Sequence, residues 1–222
     1  MSKRIIVIGH GMVGQRFLET LTTDGSGEFA ITMLAEEPRL AYDRVNLSKY
    51  FSGSTASDLT LTTREFFDKN GIELYSGDPV SAIDRANKRV TTKSGAEYEY
   101  DILILATGSS PFVPPIPGRD RPGVFVYRTI EDLEAITEAG KDSTRGVVIG
   151  GGLLGLEAAK ALKDLGLATN VVEFAPRLMA ARCSCRRIPP GWSAISCPAR
   201  RPSSIAGHSC STGSTNRSGS TS

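Results

Sequence analysis

Apolar residues in this chain fall into two kinds of run, and glycines separate them. Arg4–Ile8 is an almost unbroken apolar stretch of the length of one buried strand. After it, Met12, Phe17, Leu18 and Leu21 recur at helical spacing, which predicts a helix over residues 11–21. Ile31–Ala35 reads as a second strand, ended by Glu36 and then Pro38. Strand, glycine turn, helix and strand make one βαβ unit. Thr62-Thr63-Arg64-Glu65 has the form of a capping box, so a short helix is predicted there, ended by Gly71. Ile72–Tyr75 follows as a strand. Residues 80–100 alternate around Val80, Ile83, Val90 and Tyr98, the pattern of a small antiparallel meander. Asp101–Thr107 is apolar enough for a buried strand of a parallel sheet.

Residues 111–123 hold five prolines and two glycines and form a stiff connector. Thr129 caps a short helix that contains Leu133 and Ile136. A second βαβ pattern then begins: strand Val147–Ile149, helix Gly152–Leu165, Gly166 as its cap, strand Thr169–Glu173. The strand–glycine–helix unit near residue 5 is thus repeated near residue 147.

Both turns carry the same chemistry. Gly9-His10-Gly11-Met12-Val13-Gly14 is a full GxGxxG between strand and helix. In such a turn the first glycine allows the tight bend. The second leaves room for a pyrophosphate, and the third lets helix and strand pack closely. The free N–H groups and dipole of the helix N-terminus then face the phosphates. Glu36 lies 27 residues after Gly9, where a carboxylate can accept the hydroxyls of a ribose. Gly150-Gly151-Gly152-Leu153-Leu154-Gly155 repeats the motif, with Glu173 23 residues after Gly150. An acid there disfavours a 2′-phosphate, so NADH is expected over NADPH, with Arg177 nearby weakening the preference. His10 is expected to be a spacer facing solvent or cofactor. Two such units in one chain predict two dinucleotides, a flavin in one and a nicotinamide in the other.

Charge divides the 222 residues at one point. All 24 acidic residues lie at or before Glu173. Residues 1–180 hold 20 basic and 24 acidic side chains, a net of −4, so the overall +2 belongs to the tail. A mildly acidic folded part argues against nucleic-acid binding. No apolar run is long enough to cross a membrane, and the N-terminus lacks a signal-peptide core, so a cytoplasmic location is expected. Cys183, Cys185, Cys197 and Cys210 all lie in the tail with Trp192. Their spacing fits no zinc motif, so no metal site is predicted. Residues 181–222 show neither period, and no core is expected from them.

Ala106-Thr107-Gly108, closing Asp101–Thr107, makes the pattern specific. Residues 1–180 resemble the flavoproteins with two dinucleotide domains, in which a strand ending in ATG precedes the second domain. The connector from Pro111 to Gly118 (PFVPPIPG) is similar as well. The disulfide-reducing branch carries an early redox cysteine pair, and no cysteine precedes position 183. The stretch from Glu36 to Phe51 (EEPRLAYDRVNLSKYF) resembles ferredoxin- and rubredoxin-reductase-like members. It is closer still to the large subunits of assimilatory NAD(P)H nitrite reductases, as is Val171–Met179 (VVEFAPRLM).

The resemblance implies an α/β fold: a Rossmann-like FAD-binding domain with an inserted, incomplete Rossmann-like NAD(P)-binding domain. Residues 1–110 are expected in the first, 111–140 as connector and short helix, 141–180 as the start of the second. It implies an FAD-dependent NAD(P)H oxidoreductase. FAD contacts fall to Gly9, Gly11, Met12, Val13, Gly14, Glu36, Arg44, Lys49, Val80, Ala106, Thr107 and Gly108. Nicotinamide-nucleotide contacts fall to Gly150, Gly152, Leu153, Leu154, Gly155 and Glu173. Lys49 near the flavin and Glu157 near the nicotinamide are the implied catalytic residues, the lysine stabilising charge on the reduced ring. An electron acceptor is the implied partner. Sirohaem, an iron–sulfur cluster, a small subunit and a homodimer belong to the longer enzyme. A free-standing ferredoxin or rubredoxin reductase and a non-catalytic nucleotide-binding remnant are the alternatives.

After Met179 the resemblance stops. The composition of residues 181–222 is that of GC-rich DNA read out of frame, or of a disordered tail. An unfinished second sheet of two strands buries little surface. Expressed alone, the chain is therefore expected to be unstable and to retain FAD weakly. The flavin-to-protein ratio after purification checks this, and a cleanly folded, stoichiometrically loaded protein contradicts it.

Overall fold

A computed structural model describes residues 2–25, 29–179 and 193–195. The expectations for the tail cysteines and for Trp192 lie outside these residues.

The first unit forms as its pattern predicts. Strands β1 (Lys3–Ile8), β2 (Phe29–Ala35) and β3 (Ile72–Ser76) pair in parallel, in the order β3-β2-β1-β7, with β7 at Ile102–Leu105. Helix α1 (Met12–Gly25) crosses from β1 to β2. It runs past the predicted Leu21. Thr20, Thr22 and Thr23 have no apolar period, and within the helix their hydroxyls donate back to the carbonyls of Arg16 and Glu19.

β1 is buried on both faces, and its alternation sorts the core into two layers. Ile5 and Val7 join Leu18, Ile31, Met33, Phe67 and Ile72 under α1 and α2 (Arg64–Lys69). Ile6 and Ile8 join Leu34, Val90 and Tyr100 on the opposite face. That face is covered by the predicted meander: β4 (Val80–Asp84), β5 (Arg89–Thr92) and β6 (Glu97–Glu99), all antiparallel. Each large side chain so buried stabilises by roughly 1.5–3 kcal/mol.

Two predicted details differ. The Thr62–Glu65 capping box does not form. Thr63 is the N-cap, without a side-chain hydrogen bond to the helix backbone, and Thr62 is buried with its hydroxyl unpartnered. Thr62 packs inward, so it cannot also turn back onto the helix. β7 is parallel but is not buried: Leu105 is 62% exposed. Among the described residues only β1 pairs with it, which leaves its other edge open.

A third cluster (Tyr42, Leu47, Leu59, Ile130, Leu133) ties residues 41–61 to α3 (Ile130–Lys141). Helix α3 opens on a complete capping box, in which Thr129 and Asp132 bond each other's backbone N–H. A 3₁₀ helix, Leu47–Ser52, lies in the same cluster.

The second unit is β8 (Arg145–Ile149), α4 (Leu153–Asp164) and β9 (Ala168–Glu173). Gly166, at φ +85°, closes α4: the Gly166 and Leu167 N–H groups bond the carbonyls of Lys163 and Leu162. The sheet has three strands rather than the two expected, because β10 (Ser193–Ile195) pairs antiparallel with Val171–Glu173. An open edge recruits backbone whatever the side-chain period, so the periodicity of the tail did not announce it. Helix α4 covers the face of Gly146 and Val148. Val147 and Ile149, on the other face, are 61% and 56% exposed.

Candidate functional site: two glycine turns at the carboxyl ends of the strands

The carboxyl ends of β1, β2 and β7 lie side by side, with β2 on one side of β1 and β7 on the other, and open α/β sheets bind ligands at the carboxyl ends of their strands. The Gly9 N–H bonds the Leu34 carbonyl at 2.8 Å, and the Ala106 N–H bonds the Ile8 carbonyl at 2.8 Å. Gly9 has φ +104°, and a Cβ there would stand 2.3 Å from the Ala106 oxygen. A Cβ on Gly14 would stand 2.2 Å from the Gly9 carbonyl oxygen. Gly11, between them, has open space where its Cβ would go. Helix α1 has no acidic residue in its first turn, so its positive end is left for an anion. Met12 and the exposed Val13 open the helix beside it. Thr107 and Gly108 continue past β7 on the same rim, with Gly108 at φ +70°.

The second turn repeats these contacts. The Gly150 N–H bonds the Val172 carbonyl at 2.8 Å. Gly150 has φ +112°, and a Cβ on Gly155 would stand 1.9 Å from its carbonyl oxygen. Gly152 is the open position, and Leu153 and Leu154 are exposed at the start of α4, again without a first-turn acid.

The two acids differ. Glu36 is exposed at the end of β2. Glu173 accepts the N–H of Gly151 and, at 2.8 Å, that of Ala175. These donors hold its carboxyl below the usual carboxylate range. Its contribution to stability is therefore present above the unfolded value and is lost as pH falls through the lowered one. Two carboxylate oxygens still leave lone pairs for a ribose.

Arg44 is not a solvated surface charge. It pairs with Glu37 and lies 5.0 Å over the ring of Tyr42, whose hydroxyl donates to Glu37 at 2.7 Å. One of its guanidinium nitrogens, Nη1, is buried without a partner. A buried cationic donor facing nothing is a place for an anion or a carbonyl. Together with the free end of α1 and the space above Gly11, it fits a dinucleotide with a pyrophosphate. Lys49 is exposed on the 3₁₀ helix, against which α4 packs. Glu157 lies in the second turn of α4; burial first, and then the charge of Glu157, push the Tyr127 phenol up to about 12. Val80 starts β4 and packs on the Ile6–Ile8 side of the core.

His10 does not face solvent. It is only 7% exposed, edge-on to Phe67 at 5.2 Å, with Nε2 3.1 Å from Gln15 Oε1. Burial lowers its pKa. The GxGxxG pattern shows nothing of the Phe67 contact. Sequence reasoning also passed over Arg128, whose Nη2 lies 3.5 Å from where a Gly108 Cβ would be. A cation immediately before the Thr129 cap was the available signal.

The pyridine nucleotide-disulphide oxidoreductase family model matches residues 3–188. The chain belongs to this family. Its members bind FAD and NAD(P)H. The chain is 53% identical over 182 residues to the nitrite reductase (NADH) large subunit of Escherichia coli, covering 81% of this chain and 22% of that protein. The ferredoxin reductase for the CYP199A2 system of Rhodopseudomonas palustris superposes with a TM-score of 0.75 at 32% identity, over 81% of this chain and 44% of that one. NADH:rubredoxin oxidoreductase of Clostridium acetobutylicum gives 0.68 at 29%, over 77% and 44%. The chain thus spans about a fifth of the nitrite reductase it matches. Among the described residues no helix is long and apolar enough to cross a membrane, and no cluster of His, Cys, Asp and Glu could hold a metal ion.

The glycine contacts make a direct prediction. Gly14→Ala forces a Cβ against a backbone carbonyl and lowers stability by about 1–3 kcal/mol. Gly11→Ala meets nothing and leaves the melting temperature near that of the parent. Thermal melts compare the two, and an unaffected Gly14→Ala contradicts the packing described.

Proposed function

We propose that this chain is the electron-entry part of a flavoprotein oxidoreductase, in which NADH reduces FAD. One observation carries the reading. The two glycine turns share one geometry, and α4 of the second packs on the 3₁₀ helix that follows the first. Two dinucleotides seated in such turns reach toward a common junction bearing Lys49 and Glu157. Bound FAD supplies the two-electron chemistry and can release electrons singly.

The residues would act as follows. Gly9, Gly11, Met12, Val13 and Gly14 cradle the FAD pyrophosphate at the α1 N-terminus. Glu36 takes the ribose hydroxyls, Arg44 presents its free Nη1, and Ala106, Thr107 and Gly108 bound the rim with Val80. Arg128 extends this set. Gly150, Gly152, Leu153, Leu154 and Gly155 receive the nicotinamide dinucleotide, and Glu173 excludes a 2′-phosphate. Lys49 stabilises charge on the reduced ring. Glu157 orients the nicotinamide side.

The similarity to nitrite reductase large subunits supports placing this unit in assimilatory nitrite reductase. There sirohaem and an iron–sulfur cluster outside this chain would receive the electrons, in the cytoplasm, with a small subunit and a second copy as partners. The similarity to ferredoxin and rubredoxin reductases supports a second reading, in which the acceptor is a separate small iron protein.

Anaerobic mixing of FAD-supplemented chain with NADH tests the proposal. The flavin band is expected to bleach with NADH ahead of NADPH. Glu173→Ala narrows that preference about tenfold, equivalent to ~1.4 kcal/mol. A chain that binds FAD yet is bleached by neither nucleotide contradicts the proposal.

A further inference from the structure

Gly151 stands in the middle of the second turn, at the place His10 takes in the first. Gly150 before it has φ +112°, but Gly151 is not in the left-handed region, so its backbone does not call for a glycine. Space does. A Cβ there would stand 2.5 Å from Leu178 Cδ2 and 2.9 Å from Glu173 Oε2. Its two backbone polar groups are both engaged. The N–H donates to the Glu173 carboxylate, and the carbonyl accepts the N–H of Met179 at 2.9 Å. The chain after β9 thus folds back onto the turn at this one residue.

The first turn reverses the arrangement. The leading glycine donates its N–H to Leu34 in one unit and to Val172 in the other. The next residue along the strand is Ala35 in the first and Glu173 in the second. So the first turn has a side chain at its middle position and only a methyl on the strand. The second has a bare middle position and a carboxylate on the strand. Accepting N–H groups from Ala175 and Gly151 fixes that carboxylate in one orientation and keeps it ionised.

We infer that Gly151 is a positioning residue for nucleotide selection: its missing Cβ lets the Glu173 carboxylate bond to the turn, and the charge so fixed is what turns a 2′-phosphate away. The selection rests on the reading of Glu173 given above. The contact itself does not. The atoms that a Cβ would displace are the ends of two flexible side chains. An added methyl therefore moves the carboxylate and Leu178 and leaves the turn in place. The Gly151 N–H is then free for a phosphate oxygen.

The full 222-residue chain, labelled at the glutamate side-chain carboxyl carbon, tests the contact without nucleotide. Glu173→Gln identifies the Glu173 resonance by its loss. That resonance is expected to titrate below the usual carboxylate range in the parent and higher in Gly151→Ala, with the melting temperature near the parent's. A parent resonance in the usual range, one that Gly151→Ala leaves unmoved, or a Gly151→Ala chain that loses the parent's melting transition overturns the inference. Equilibrium binding of NADH and NADPH reads the selection. Gly151→Ala is expected to narrow the preference for NADH roughly tenfold, as Glu173→Ala does, and the double variant no further than either alone, because the two residues act through one contact. An unchanged preference in Gly151→Ala, or effects that add in full, overturns the positioning role. A parent chain without a preference for NADH defeats the reading of Glu173, while the resonance still decides the contact.

Discussion

Everything at the two turns depends on how closely a helix can approach the strand before it. Gly14 against the Gly9 carbonyl, and Gly155 against the Gly150 carbonyl, leave no room for a single carbon atom. That approach aims the first N–H groups of α1 and α4 at the carboxyl ends of the strands. It also fixes where the next strand ends, and so where Glu36 and Glu173 stand. A helix set further out would still fold, but its dipole would miss the crevice.

The two turns differ in what surrounds them, and the difference comes from one strand. In the first unit β7 lies beside β1, so Gly9 is pressed against Ala106. In the second no described strand takes that place, and a Cβ on Gly150 would meet nothing. The exposure of Val147 and Ile149 is the energetic counterpart. Surface left in water contributes nothing to folding, so the first unit has two buried layers and the second has one. The helix–strand contact recurs in both units. The core around it does not.

Local periodicity made most of this legible. The alternation of Ile5 to Ile8, the spacing of Phe17, Leu18 and Leu21, and the glycine positions each reflect contacts within one βαβ unit. What stayed hidden depends on distant partners. The inward packing of Thr62, the burial of His10 against Phe67 and the open edge of β7 are set by residues far along the chain. At the site, the glycines and the acids were visible as motif positions. Glu37 as the anchor of Arg44, Arg128 above Gly108 and the buried, unpartnered hydroxyl of Tyr127 were not. Of these, Tyr127 packs in the third cluster, where residues 41–61 fold onto α3 and no motif marks the meeting.

The most direct test of the account is equilibrium binding of FAD and of NADH to Gly11→Val and Gly152→Val chains. Each substitution fills the open position of one turn. Two separate cradles predict that Gly11→Val loses FAD and keeps NADH, and that Gly152→Val does the reverse. Loss of both ligands together in either variant, or of neither, would contradict it.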